Sequence, residues 1–371
     1  MKKIFVILFV FLMLSSVFAE IVINGDARIR PRLDVSTLEN NGTTSTTRDM
    51  YYMYWARLWV TAKLTEGWYF QTKLATDGPA NFTGKLGGSH YGGTVGWTDA
   101  NAAHSAGRGV VRFAEVHFGR KMDNYGFSMG ILPLSGLENP EFDLHFFPTS
   151  KSDIPYTILN AASAAGFRGF FCIGENRLNA TITVDRDQVQ YKMIEVEDMN
   201  GDKTKTEDEL KDYYSLFLDY QMKFGDLKVA PTLIYSMTEE DEASPMTVGA
   251  NVALPKMAGF GLSAGGYYTL QSQENNVGLS KYSGPMIHLK ATKPMGPGTF
   301  SGWVDWKSIT IDDDDDAVAT TLLWLMYKYT VYKSEFGTFW LAPTYRLMLQ
   351  NYGDMNYSRN KIEVTLHMDF K

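Results

Sequence analysis

From residue 20 onward, apolar and polar side chains alternate with a period of two, and this pattern more than any other limits what the chain can become. Ile21, Ile23, Gly25, Ala27, Ile29 and Leu33 share one parity, while Asn24, Asp26, Arg28, Arg30 and Arg32 share the other. A strand sends successive side chains to opposite faces, so this segment has one apolar face and one basic, polar face. The far end reads the same way: Ile362, Val364, Leu366, Met368 and Phe370 alternate with Glu363, Thr365, His367 and Asp369. Between these two strands, alternation recurs at 50–64, 67–77, 108–119, 124–132, 166–174, 177–190, 212–224, 227–239, 245–254, 259–272, 284–293, 298–311, 318–332 and 336–350. The tally is about 16 strands, most of them near the nine to eleven residues that cross a bilayer at a tilt.

The connections have a rhythm of their own. Short turns such as Glu66-Gly67, Lys121-Met122-Asp123, Gly174-Glu175-Asn176, Gly225-Asp226 and Lys333-Ser334-Glu335 alternate with long polar segments near 34–49, 78–107, 133–165, 191–211 and 273–283. Shorter polar segments at 239–244, 312–317 and 351–357 fall on the same side. Short turns on one side and long loops on the other are expected of an outer-membrane barrel whose turns face the periplasm.

The start of the chain concerns the compartment. Lys2 and Lys3 precede an apolar stretch from Ile4 to Leu14, and Ser15-Ser16-Val17-Phe18-Ala19 ends in small residues suited to cleavage. Residues 1–19 are expected to be an export signal, too short in its apolar part for a spanning helix, which leaves 20–371 as one unit. Loss of the two lysines leaves 33 basic against 42 acidic residues. An exported acidic chain is a poor candidate for nucleic-acid binding. One cysteine, Cys172, in 371 residues excludes a disulfide scaffold, and 44% hydrophobic residues exclude a disordered chain.

Some rows are apolar without interruption. Tyr214, Leu216, Leu218, Tyr220, Met222 and Phe224 stand opposite Ser215, Asp219, Gln221 and Lys223; Leu323, Leu325, Tyr327, Tyr329 and Val331 stand opposite Lys328 and Thr330. Alternation alone leaves open whether such rows meet lipid or the core of a soluble sandwich. Aromatics near the row ends match the girdles at membrane interfaces.

With the signal, the strand rhythm and the terminal Phe370, the mature chain resembles a bacterial outer-membrane porin of the general-diffusion type along nearly its whole length. The resemblance implies an all-β, up-and-down antiparallel barrel in the outer membrane, a homotrimer, and recognition of the final aromatic by the barrel assembly machinery. Lys371 follows Phe370 here, a departure from the usual terminal signature. Asn139-Pro140-Glu141-Phe142-Asp143, within the long segment 133–165, looks like the Pro-Glu-Phe segment of that family's constriction loop.

A closed barrel of about 16 strands leaves an aqueous channel. The expected function is therefore passive diffusion of small hydrophilic solutes or ions, with Glu138, Glu141 and Asp143 on the loop facing a basic wall of Arg28, Arg30, Arg32, Arg57, Lys63, Lys73 and Arg346. The same arginines could instead pair with Asp26, Asp369 or Glu363 where the first and last strands close the barrel, and both roles stay open at this point. Glu115 and His117 are expected to add polarity to the wall. Asp198, Asn200, Asp202 and Glu209 have the spacing of oxygen ligands in a calcium loop, yet Lys203 stands where such a loop needs glycine, so a solvated acidic loop is the competing reading for Ca2+. A barrel enzyme would need a nucleophile and base converging at strand ends, and none is expected. The remaining alternative is a secreted or surface β-protein acting as a carbohydrate-binding, adhesive or structural module.

Overall fold

The computed structural model describes residues 20–76, 84–86, 111–133, 163–186, 191–197, 203–209, 213–238, 246–271, 281–311 and 317–371. The chain runs through β1 (Glu20–Asn40), β2 (Thr43–Lys63), β3 (Trp68–Ala75), β4 (Gly84–Leu86), β5 (Arg112–Lys121), β6 (Tyr125–Pro133), β7 (Ser163–Ile173), β8 (Asn176–Arg186), β9 (Tyr191–Glu197) and β10 (Lys203–Glu209). It continues through β11 (Tyr213–Phe224), β12 (Leu227–Thr238), β13 (Met246–Ala253), β14 (Gly261–Gln271), β15 (Tyr282–Met295), β16 (Gly298–Ile311), β17 (Val318–Ser334), β18 (Gly337–Tyr352) and β19 (Met355–Phe370). Each strand of the main sheet pairs antiparallel with its neighbours in chain order, and β1 pairs with β19 to close the sheet. Because β3 and β4 both pair with β2, along different parts of its length, the 17 strands of that sheet form 16 staves. The hairpin β9–β10 stands apart from the barrel. Closure leaves the wall without an unpaired edge.

Burial settles which parity faces where. Ile21, Ile23, Ile29, Leu33, Ile362, Val364, Leu366 and Met368 are exposed, while Asp26, Arg30, Arg32, Asp34, Glu363, Thr365 and His367 are buried. The apolar parity is therefore the outer surface of the barrel and the polar parity its interior, the reverse of a soluble sandwich. Exposed aromatics gather at the short-turn end, among them Trp68, Phe70, Tyr125, Phe171, Phe336 and Phe370. Trp68 meets Phe127 edge-on at 5.7 Å, and Phe127 stacks on Phe167 at 6.0 Å, so this belt is continuous over neighbouring strands.

Two expected loops are strands instead. Segment 34–49 is the upper half of a hairpin in which β1 and β2, 21 residues each, are joined by Asn41-Gly42 alone. Both turn residues have positive φ, 49° and 74°, the geometry for which Asn-Gly is the preferred pair. Segment 351–357 likewise turns tightly between β18 and β19 at Gly353 and Asp354. Alternation fails there because residues such as Ser36, Thr37 and Thr43 to Thr47 are polar on both faces.

Of the four residues of the calcium reading, only Glu209, in the hairpin β9–β10, lies among the described residues. Lys203 to Glu209 is extended, and Glu209 pairs with Tyr191 at the end of the hairpin farthest from Lys203. Six residue steps of strand carry Glu209 about 20 Å from Lys203. Asp198, Asn200 and Asp202 lie outside the described residues, as do the signal segment and Glu138, Glu141 and Asp143.

Candidate functional site

The closure seam brings the basic parity of β1 against the charged parity of β19, which carries Glu363 and Asp369. Register places Asp26 opposite Asp369, Arg28 opposite His367 and Arg32 opposite Glu363. On the other side of β1, Asp26 faces Arg57, Arg28 faces Trp55, and Arg32 faces Tyr51. β18 adds Trp340 opposite His367.

Glu363, fully buried, is shared by three guanidinium groups. Arg32 donates from Nε to Oε2 at 2.6 Å, Arg30 reaches Oε1 at 3.4 Å, and Arg346 bonds Oε1 from the neighbouring strand. Arg30 also donates to Thr365 Oγ1 at 2.9 Å. One rung higher, Asp34 accepts from Arg359 through Nε at 2.8 Å and Nη2 at 2.7 Å, and from the Tyr51 hydroxyl at 2.9 Å. Lys361 lies 3.8 Å from Asp34, and Tyr51 accepts from Arg32 Nη1 at 3.2 Å. The two carboxylate clusters are thus one network. Three rungs below Arg32, Arg57 grips Asp26 with two hydrogen bonds, Nε to Oδ1 being 2.8 Å. Bidentate arginine pairs of this kind fix geometry as well as charge.

Counted over the seam, Arg28, Arg30, Arg32, Arg57, Arg346, Arg359 and Lys361 face Asp26, Asp34, Asp49, Glu363 and Asp369. Positive charge is therefore in excess at the seam among the described residues. Part of it is held by aromatic faces: the Arg28 guanidinium sits 3.0 Å over the Trp55 ring, that of Arg57 3.8 Å over the same ring, and that of Arg346 3.4 Å over Trp324. An aromatic face attracts a cation through its quadrupole and leaves the net charge unchanged.

Of the residues the sequence suggests for the wall, Arg28, Arg30, Arg32, Arg57 and Arg346 meet in this seam. Lys73 is buried beside it and lies 3.3 Å from Glu115. Lys63 does not join; it is exposed at the short-turn end, 3.2 Å from Glu20. Sequence reasoning passes over Arg359 and Lys361, although both continue the parity of Glu363 down β19. It also passes over Tyr51 and Trp55, which share the parity of Arg57, because aromatics read by default as outward residues.

Asp26, His367 and Asp369 bring ligand atoms within 4.8 Å of one another. Arg57 already occupies both oxygens of Asp26, so a guanidinium supplies the positive charge that a metal ion would bring there. A second overlooked spacing, Gly261-Leu262-Ser263-Ala264-Gly265, has the Gly-x-Ser-x-Gly form of a hydrolase elbow. It lies inside β14, with Ser263 in regular register against Ala253 and Lys290, and not on the sharp strand-to-helix turn which that chemistry requires.

No protein-family model matches the chain, and no curated protein matches it in sequence. Solved structures do. An outer-membrane-expressed OmpT of Vibrio cholerae matches with a TM-score of 0.54 at 10% identity, covering 94% of this chain and 98% of that one. The in-vitro folded trimer form of OmpT matches at 0.52 and 12% identity, covering 95% and 100%. An anion-selective porin from Comamonas acidovorans matches at 0.53 and 11% identity, covering 94% and 99%. At such identities the likeness is one of architecture: this chain has the closed 16-stave fold of outer-membrane β-barrel proteins.

Proposed function

We propose that the protein is an outer-membrane porin, a passive channel for small hydrophilic solutes that favours anions. The observation that carries this reading is the inversion of the wall, apolar outward and charged inward, with the inward charge biased positive along the seam. An exposed apolar band around a closed barrel has a natural solvent in the hydrocarbon of a bilayer. A low-dielectric wall with excess positive charge concentrates anions in water next to it. The fold neighbour described as an anion-selective porin agrees in sense, and the trimer form of OmpT supports a homotrimer for this chain. In this reading the segment containing Glu138, Glu141 and Asp143 narrows the lumen, and the protein conducts without catalysing a reaction.

Purified protein reconstituted in a planar bilayer tests it. Discrete conductance steps, with a reversal potential displaced toward chloride in a potassium chloride gradient, are expected. Properly folded protein, identified by heat-modifiable migration, that passes no current would sink the channel reading. Protein that stays soluble without detergent would support a secreted binding module instead.

A further inference from the structure

Away from the seam, the inner wall carries cations that are open to the lumen. Lys223 and Lys228 face each other in direct register across the β11–β12 hairpin, with Cβ atoms about 5 Å apart. They share the inward parity of buried Ser215, Phe217, Ile234 and Ser236, and both are exposed at the short-turn mouth. Neither makes an ion pair among the described residues, although Asp226 stands in the turn between them. Arg177 of β8 pairs with Gln221 and is the diagonal neighbour of Lys223. It donates from Nε to the neutral Asn179 Oδ1 at 2.7 Å, and its guanidinium lies 4.0 Å over the Phe170 ring. Asp219, on the same parity of β11, accepts from Asn179 Nδ2 at 2.7 Å.

Like charges directly opposite on a strand pair destabilise it. The seam meets that problem with Glu363, Asp34 and Asp26, whereas the short-turn mouth leaves its cations to the water of the channel. We propose that Lys223, Lys228 and Arg177 receive small anions of two or more negative charges, with inorganic sulfate as the simplest, and that one register row leads such ions on toward the seam. The proposal rests on the channel reading and names a solute class for it.

The row is continuous. Lys228 pairs with Ala253, Ala253 with Ser263, Ser263 with Lys290, Lys290 with Trp303, Trp303 with Trp324, and Trp324 with Arg346. Every position in it has the parity of the buried inward residues of its strand. Barrel strands tilt, so a row that crosses them in register climbs the wall. Lys223 is next to the last residue of β11, at the short turns, while Arg346 lies well within β18 and bonds Glu363. Between those two ends the row holds no carboxylate. Lys228, Lys290 and Arg346 recur on every third strand, about 14 Å apart. Lys290 is exposed, lies 5.8 Å from the Trp303 ring and makes no ion pair among the described residues. Asp305, the acid beside it, is engaged by His288. Trp303 stacks on Trp324 at 4.3 Å, so the interval between Lys290 and Arg346 is filled by uncharged rings.

Charge count sets the class. The attraction of an ion to a fixed cation scales with the charge of the ion, so sulfate gains twice what chloride gains from the same lysines. A lysine ammonium is a point charge with rotatable donors, and it selects charge over shape.

The test is block of single-channel chloride current by sulfate added first to one chamber and then to the other. Sulfate on the side of the short turns is expected to block at a concentration about fivefold lower than on the opposite side, the ratio that one exposed charge contact supports. Lys223→Gln combined with Lys228→Gln should make the two sides equal, and Lys223→Arg combined with Lys228→Arg should keep the difference. If the double glutamine variant fails to fold, as heat-modifiable migration reports, Lys228→Gln alone should reduce the difference to about twofold. Equal block from both sides in the unaltered protein, or a difference that survives these glutamine changes, overturns the station. Lys290→Gln should lower the sulfate-to-chloride permeability ratio, and an unchanged ratio overturns the row. Absence of any current would overturn the channel reading instead. In that event equilibrium dialysis of radiolabelled sulfate against the detergent-solubilised protein still decides the station: saturable binding that the double glutamine variant loses supports it, and equal binding to both proteins overturns it.

Discussion

Arg32 and Glu363 lie 331 residues apart in the chain and 2.6 Å apart in space, and the bond between them joins the first strand of the barrel to the last. Glu363 accepts from Arg346 as well and lies within ion-pair reach of Arg30. Glu363→Gln keeps the size of the side chain and leaves three buried guanidinium groups without their common anion. Removing one partner of a buried ion pair costs about 3–5 kcal/mol. The urea midpoint for unfolding from lipid vesicles should fall accordingly, and a midpoint unchanged from the parent would show that the network contributes little to closure.

The three arginines of β1 are not equivalent. Arg30 and Arg32 are compensated by Glu363, whereas Arg28 rests on an aromatic face. Replacing all three by glutamine should move the reversal potential toward cations, and Arg28→Gln alone should produce more of that shift than Arg32→Gln alone. Reversal potentials in a potassium chloride gradient measure both. Equal shifts from the two single changes would contradict the assignment.

The outward parity can be tested apart from the inward one. Val364 faces outward on β19 between Glu363 and Thr365, which face inward. Arginine at an outward position near the bilayer midplane costs about 2–4 kcal/mol. Val364→Arg should lower folding free energy in vesicles by that order. Thr365→Ser, which keeps the hydroxyl that Arg30 uses, should change it far less.

The tall hairpin β1–β2 depends on its turn. Gly42 has φ of 74° with open space around its α-carbon, so a side chain there meets no neighbour and the cost is conformational alone. Gly42→Val should destabilise the turn by about 1–2 kcal/mol. The expected result is faster proteolysis near Asn41 with conductance retained, because the change lies far along the strand from the seam residues.

Much of this architecture is legible from side-chain parity. The two end strands, with Ile21 to Arg32 and Ile362 to Asp369, declare both faces because each crosses the wall between lipid and lumen. Parity is silent where both faces are wet, and for that reason the upper halves of β1 and β2 read as a loop. The pairing of Arg30 and Arg32 with Glu363 is open to anyone who sees that first and last strands must meet. Which rung meets which is a matter of register, and register is decided by the whole circuit of turns. Trp55 and Trp324 are hidden for another reason: an inward tryptophan beneath an arginine looks in sequence like any girdle aromatic.

The placement of Glu363 has a consequence for how such a chain is made. Its carboxylate is the shared counter-charge for Arg30 and Arg32 on β1, yet it stands on β19 and is synthesised 331 residues after Arg32. Until β19 docks, the arginines of β1 face an open edge with no carboxylate from that side. Closure of the cylinder and neutralisation of its basic face are then a single event, and a chain that stops short of β19 is left with both an unpaired edge and an uncompensated charge.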